Sequence, residues 1–472
     1  MIKNATIEDV RNKLSEIFTD CGDFNIRPVI SCGNTVYVAN LGAFSGRDYI
    51  SQNVIRPLVY SGVEIEDNNT LLGIVSTSEV KEADSVDMLK TYLLGGFAIV
   101  FAQIGDDVSA YGCMARNDPG RSVSEPDSEM VVRGPREGFI EKAEDNTALL
   151  RKRLRNADMK VINLQVGKLS ETNVRIVYVD GVADINLVND IRARIESMPL
   201  NTIMDSGYIE QFLTEGSSRI FTEVGNSEKP DKVAAKLAEG RVAIICDGSP
   251  VVLTVPYLFV ESLQSAEDYL KTSYYATFIR CVRFISLLLS LYLPAFYIAV
   301  MEHHKNAVPY TLYSSMMDAR KDVPFSLFGE LVVILLIFEL IREVGVRMPG
   351  NVGSAVSIVG GLILGDAAIS AGISSAPVIM VASLTAISTF ILPPYMNSTV
   401  LVRFVNIFAA RMFGLVGIAM SLAFLITHLC GKTSFGMPYM FPFAPLSSDG
   451  MNDTVFMRPK KALKNAGEEL KE

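Results

Sequence analysis

Residues 174–200 read VRIVYVDGVADINLVNDIRARIESMPL, and the spacing of their apolar residues changes partway along. A β-branched run ends in Val177-Tyr178-Val179, a turn follows, and then Val188, Ile191 and Ile195 recur at helical spacing. Residues 34–59, NTVYVANLGAFSGRDYISQNVIRPLV, repeat the pattern, with Val36-Tyr37-Val38 in the strand and Ile50, Val54 and Ile55 in the helix. The two stretches read as copies of one strand–turn–helix unit.

The match continues downstream. LLGGFAIVFAQIGDDVSAYG (93–112) parallels LAEGRVAIICDGSPVVLTVP (237–256), each a helix end, a glycine, a buried strand, a polar turn and another strand. The Val-Tyr-Val copies are 141 positions apart and Gly96 and Gly240 are 144 apart, a drift that loop insertions would explain. Two tandem α/β subdomains are expected, with boundaries at 1–130 and 159–270. Between them, in 131–158, lies GPREGFIEKAEDNTALLRKRLRN. Pro135 can start a helix, with acids in its first turns and bases in its last, so this stretch reads as a long amphipathic connecting helix. The cluster Arg151, Lys152, Arg153 and Arg155 reads as its solvated or partner-facing end.

Charged residues make up 20% and apolar residues 49% of the 472 positions, but they are segregated. The first 277 positions alternate charged and apolar residues as soluble domains do, and 278–429 is mostly apolar. The N-terminal MIKNATIEDVRNKLSEIF carries charge throughout and lacks the apolar stretch of a secretory signal, so the soluble region is expected in the cytoplasm. Six scattered cysteines show no metal-like spacing and read as reduced thiols. A net charge of −9 argues against a nucleic-acid partner. No phosphate loop, dinucleotide fingerprint or nucleophile elbow occurs, and no histidine precedes Phe278, so neither catalysis nor a cofactor is expected.

The second half is expected to be an α-helical polytopic membrane domain over 271–430, followed by a polar, Pro-rich and basic tail over 431–472. Five apolar segments can be drawn, at about 278–301, 325–341, 352–373, 377–394 and 404–429. The second contains Glu330 and Glu339, and Glu339 can pair with Arg342 on the same helix face. A charge in mid-span costs about 2.5–3.5 kcal/mol, so this helix belongs inside a bundle or dips in and returns. In the third segment Gly353, Ser357, Gly361 and Gly365 recur every four residues, a packing seam between helices. Asp366 lies off that seam, so it needs a second protein surface or water, either as a buried hydrogen-bonding group or as the lining of an ion path.

Arg280, Arg283, Arg403 and Arg411 lie near segment ends and read as snorkelling anchors. Five crossings would place the basic RPKKALK on the outside, and four crossings with a re-entrant segment would not. His303 and His304 are adjacent and point about 100° apart on a helix, so they do not form a metal site by themselves.

Several blocks together resemble one family. LPAFYIAVMEHH (293–304), DVPFSLFGELVVILLIFELIREVGVRMPGNVGSAVSIVGGLILGDAAISAGISS (322–375) and VIMVASLTAISTFILPP (378–394) resemble the A subunits of the GerA family of bacterial spore germinant receptors. GPREGFIEKAEDNTALLRKRL, VYVDGVADINLV and AEGRVAIICDGSPVVLTVPYLFVESLQSAEDYL agree. The resemblance implies a multi-pass protein of the spore inner membrane that helps nutrients trigger germination. It also implies B and C receptor subunits as partners, or the paralogue encoded with the dipicolinic acid channel proteins, which acts without them. Family A subunits are thought to assemble as homo-oligomers into a ligand-gated cation channel, which makes Asp366 and Glu330 candidates for the ion path. A secondary transporter and a membrane-anchored scaffold are the competing readings, although no inverted membrane repeat is visible over 278–429.

Overall fold

A computed structural model describes residues 2–3, 5–42, 44–116, 129, 134–214, 220–347, 365–447 and 450–458. The chain divides into two compact units. The first comprises Met1–Gly216 and Val224–Tyr257, and the second comprises Ser217–Glu223 and Leu258–Lys464.

The first unit holds two antiparallel five-stranded sheets. One is built from β1 (Phe24–Ser31), β2 (Asn34–Leu41), β3 (Val80–Glu82), β4 (Phe97–Ile104) and β5 (Asp107–Met114), in the order β1-β2-β4-β5-β3. The other is built from β6 (Met159–Val166), β7 (Thr172–Val179), β8 (Gly225–Ser227), β9 (Val242–Cys246) and β10 (Val252–Val255), in the matching order β6-β7-β9-β10-β8. The registers match too. Val36 pairs with Ala102 and Val177 with Ala243, so both members of the second pair lie 141 positions after those of the first. Gly96 and Gly240 both sit at left-handed φ, 88° and 92°, just before β4 and β9. Their extra three-residue offset arises because β4 starts four residues earlier along the ladder than β9, with Gly96 one residue and Gly240 two residues ahead of its strand, not from an inserted loop.

Both faces of the first sheet are covered, which explains why FAIVFA is apolar without alternation. Tyr37, Ile99 and Phe101 pack against Val10, Leu14, Leu89 and Leu93, while Val38, Val100 and Cys113 pack against Ile50, Val54, Leu58 and Leu71. On the second sheet, Val161, Val177 and Ile245 pack against Leu149, Leu150, Val233 and Leu237.

The stretch expected to be a long connecting helix is helical only over Ala143–Arg153. Ahead of it, over 135–142, the chain is neither helix nor strand. The Asn146 side chain accepts from the Ile140 backbone N–H (2.8 Å) and donates to the Ile140 carbonyl (2.5 Å), so Pro135 lies well outside the helix. The helix is buried over Asn146–Arg151 and belongs to the second sheet's core rather than to a solvated linker. Of its basic cluster only Arg155 is exposed. Arg151 is 1% exposed and grips Asp23 through two 2.8 Å bonds, while Lys152 and Arg153 share the Glu137 carboxylate.

That Asp23–Arg151 pair joins the two repeats. Next to it Cys21 bridges Val161 of β6 in parallel, with Gly22 N–H donating to the Val161 carbonyl (2.7 Å) and Val161 N–H to the Asp20 carbonyl (3.2 Å). A Cβ on Gly22 would lie 2.9 Å from that Val161 carbonyl and 2.6 Å from the Asn163 amide, so only glycine fits this approach.

The second unit is helical. Its main helices are Ser273–Ile298, Leu327–Arg347, Ala376–Phe390 and Met396–Cys430. Among the described residues two stretches, Ser273–His303 and Pro393–Cys430, are long and apolar enough to cross a membrane by length and composition. The last of these doubles back, although the sequence reads as one span over 404–429. Gly414 has φ 58° and ψ −138°, far from helical values. Before it, Arg403 and Asn406 donate to the Ser290 and Leu291 carbonyls, and Arg411 pairs with Glu302. After it, Leu415 N–H donates to His304 Nε2 (3.4 Å), and Leu425 and Leu429 return to a cluster with Leu287, Leu291 and Tyr395. Hydropathy does not register such a turn because both arms are equally apolar.

The segment after Cys430 therefore arrives where the unit began. Tyr439 stacks edge-on to Phe259 and bonds the Tyr395 hydroxyl (3.2 Å). Asp453 accepts from Arg280 (2.8 Å) and Tyr269 (2.6 Å), and Asp268 pairs with both Arg280 and Arg283. Arg280 and Arg403, expected as snorkelling anchors, are instead buried hubs at 0% and 1% exposure.

Candidate functional site

A cavity of about 640 Å³ lies within the helical unit. Its walls are largely apolar, including Leu335, Phe338, Ile387 and Phe390, yet Glu339, Arg342, Asp366 and Arg403 also line it. Glu339 is held between the two guanidinium groups, 2.7 Å from Arg342 and 3.3 Å from Arg403. Arg403 is fixed further by the Ser290 carbonyl (2.8 Å) and the Thr389 hydroxyl (2.5 Å). Two guanidinium groups and two carboxyl groups thus line the same cavity.

Asp366 itself is exposed, and among the described residues it has no hydrogen-bond or ion-pair partner. Gly365 of the expected seam is described and lies 3.6 Å, measured from a built Cβ, from Ile379. Gly353, Ser357 and Gly361 lie outside the described residues.

Glu330 is placed elsewhere. It is 1% exposed, it pairs with Arg320 at 2.9 Å, and its other oxygen accepts from the Ser375 N–H (2.6 Å), the Ser375 hydroxyl (2.7 Å) and the Ser374 hydroxyl (3.1 Å). It thus ties the start of helix Ala376–Phe390 to helix Leu327–Arg347, and it does not line the cavity. The two histidines secure the Gly414 reversal. His303 Nε2 lies 2.9 Å from the Arg411 carbonyl, and His304 Nε2 accepts from Leu415. Among the described residues no group of three or more His, Cys, Asp or Glu side chains could hold a metal ion. In the first unit a polar hollow of about 420 Å³ opens beside the joint of the repeats, lined by Asp20, Asn163, Tyr178 and Arg192.

The profile described as Bacillus/Clostridium GerA spore germination protein matches residues 12–468. The chain belongs to the GerA family. The GerA-family chain is 36% identical over 433 residues to the "Uncharacterized membrane protein YfkQ" of Bacillus subtilis, an alignment that covers 90% of this chain and 83% of that one. It is 33% identical over 471 residues to "Spore germination protein GerLA" of Bacillus cereus, covering 98% and 95%. A solved structure, the N-terminal domain of the A subunit of the Bacillus megaterium spore germinant receptor GerK3, matches at 22% identity and a TM-score of 0.41, over 55% of this chain and 97% of that one. The A-subunit resemblance read from the sequence holds, and the GerA-family protein has a role in spore germination.

Sequence reading of this GerA-family chain found Glu339, Arg342 and Asp366 but not Arg403 as the residue that ties Glu339 to helix Ser273–Ile298. Its only signal is an arginine followed by Asn406 inside an otherwise apolar run, both turned toward carbonyls of another helix. Arg280 and Asp453 are 173 positions apart, and nothing local announces their pairing.

Proposed function

We propose that this protein is the A subunit of a spore germinant receptor, embedded in the spore inner membrane, whose helical unit assembles with further copies around a cation path. B and C receptor subunits are its partners in this reading, and the first unit serves assembly or gating. The observation that carries it is Asp366. A carboxylate without a partner among the described residues sits at an apolar-walled cavity, next to helices that expose Leu340, Ile387 and Phe390. In a bilayer such a group needs water or a second protein surface, and a path between copies supplies both. Glu330, the second candidate from sequence after Asp366, acts in this proposal as the anchor of the turn that positions the Asp366 segment.

The test is cation conductance of purified protein in planar bilayers, with Asp366→Asn and Glu330→Gln side by side. Asp366→Asn is expected to reduce cation selectivity at unchanged assembly, and Glu330→Gln to lower stability first. A chain that passes no cations when assembled with its partners, or an unaltered Asp366→Asn conductance, overturns the proposal.

A further inference from the structure

We propose that the helix Tyr310–Asp318 lies in the plane of the membrane surface, with lipid headgroups and the adjoining acyl region as its partner. This rests on reading the second unit as membrane-embedded. The helix follows the end of the long helix Ser273–Ile298 and precedes Leu327–Arg347, at the end of the bundle away from the Asp453 clasp.

Its nine residues include none that is buried, yet its sides differ in chemistry. At about 100° per residue, Tyr313 and Met316 share one side, and both pack against the core of Ile298, Met301 and Leu327. Thr311, Ser314, Ser315 and Asp318 occupy the opposite side. Tyr310 and Met317 form one flank, 82% and 38% exposed, and Leu312 forms the other, 47% exposed.

A helix standing in water would be expected to have polar flanks, and one sunk in hydrocarbon would not turn an aspartate and three hydroxyls outward together. An interface supplies the combination, with bundle beneath, water above and the headgroup–acyl boundary on both flanks, a depth of about 5–10 Å. Tyrosine is the side chain most at home there with tryptophan, because its ring is apolar and its hydroxyl polar. Phe325, 47% exposed, and the cations Lys305 and Lys321 border the helix at its two ends.

The chain contains no tryptophan, so a single introduced one reports its own surroundings. The full-length protein carrying Tyr310→Trp would be reconstituted in phosphatidylcholine–phosphatidylglycerol vesicles whose acyl chains are brominated near the headgroup or near the chain end. Quenching is expected to be at least about twofold stronger with shallow than with deep bromines, with weak quenching by aqueous iodide. Met317→Trp on the same flank should behave alike, which covers a misfolded first variant. Phe408→Trp, at a 61% exposed site on the arm before Gly414, tests the membrane reading itself and should be quenched best by deep bromines. Strong iodide quenching of both flank tryptophans, with Phe408→Trp quenched by deep bromines, overturns the interfacial helix alone. If Phe408→Trp also escapes both bromolipids, the membrane reading fails with it.

Discussion

Asp23 and Arg151 stand 128 positions apart and are each 1% exposed, so each charge is tolerated in the first unit only because the other is there. Removing one partner strands a buried charge and is expected to cost about 3–5 kcal/mol, whereas a well-packed apolar pair in their place is expected to be close to neutral. Asp23→Leu and Arg151→Met singly should therefore lower the melting temperature of the first unit sharply, and the double variant should recover most of the loss. Thermal unfolding of the full chain in detergent measures it, and additive losses in the double variant would refute the pairing. Thiol chemistry gives a second expectation. Burial disfavours the thiolate and pushes Cys113 and Cys246 up to about 12, so at pH 8 only about one thiol in 10⁴ of each is reactive. Cys32, exposed at a hairpin tip with φ 43°, should react with a maleimide under native conditions while Cys113 and Cys246 react only after unfolding. Peptide mapping of the labelled protein decides it.

At the scale of elements, Gly414 is the residue on which the most structure depends. Its φ of 58° with ψ of −138° is a backbone region that essentially only glycine occupies, and a Cβ there would lie 3.0 Å from that of His303. Gly414→Ala is expected to destabilise the second unit by about 1–3 kcal/mol, while Gly73→Ala, in open space in the helix Asn68–Ile74, should be neutral or slightly stabilising. Equal melting temperatures for the two variants would remove the reversal from the fold. The contrast shows what the sequence makes legible. β2 and β7 with their following helices announce themselves through spacing, because a half-buried strand and an amphipathic helix each impose a period. The Gly414 turn imposes none, since both arms are mostly apolar and the polar residues Arg403, Asn406 and Arg411 fall on one side of it without marking a break. The ion pairs are hidden for a related reason: Glu330 meets Ser374 and Ser375 through 44 and 45 intervening steps of chain, and only the bundle brings them together. Glu339–Arg342 was readable because its partners are three apart on one helix.

For the helical unit as a whole, the two ends of the chain meet. Tyr269 and Arg280, at the entry to the first long helix, hold Asp453 of the tail, and Phe259 packs against Tyr439. A chain that enters and leaves a bundle at one end traverses it an even number of times, which disfavours five crossings. In a membrane this would put Arg458 on the side from which helix Ser273–Ile298 starts, together with Lys271, as the positive-inside rule prefers. The expectation can be checked in a chain with Cys32→Ser and Cys430→Ser, which removes the exposed native thiols. Single cysteines at Lys271, Arg458 and Lys305, all exposed, would then be labelled in sealed vesicles of known orientation with a membrane-impermeant maleimide. Lys271→Cys and Arg458→Cys should label from the same side and Lys305→Cys from the other. Labelling of Lys271→Cys and Arg458→Cys from opposite sides would require an odd number of passes and break the clasp between Arg280 and Asp453. The same experiment with Asp453→Asn separates two roles for that clasp: if it only stabilises, the labelling pattern survives at lower yield, and if it fixes the path of the last arm, Arg458→Cys becomes reactive from both sides.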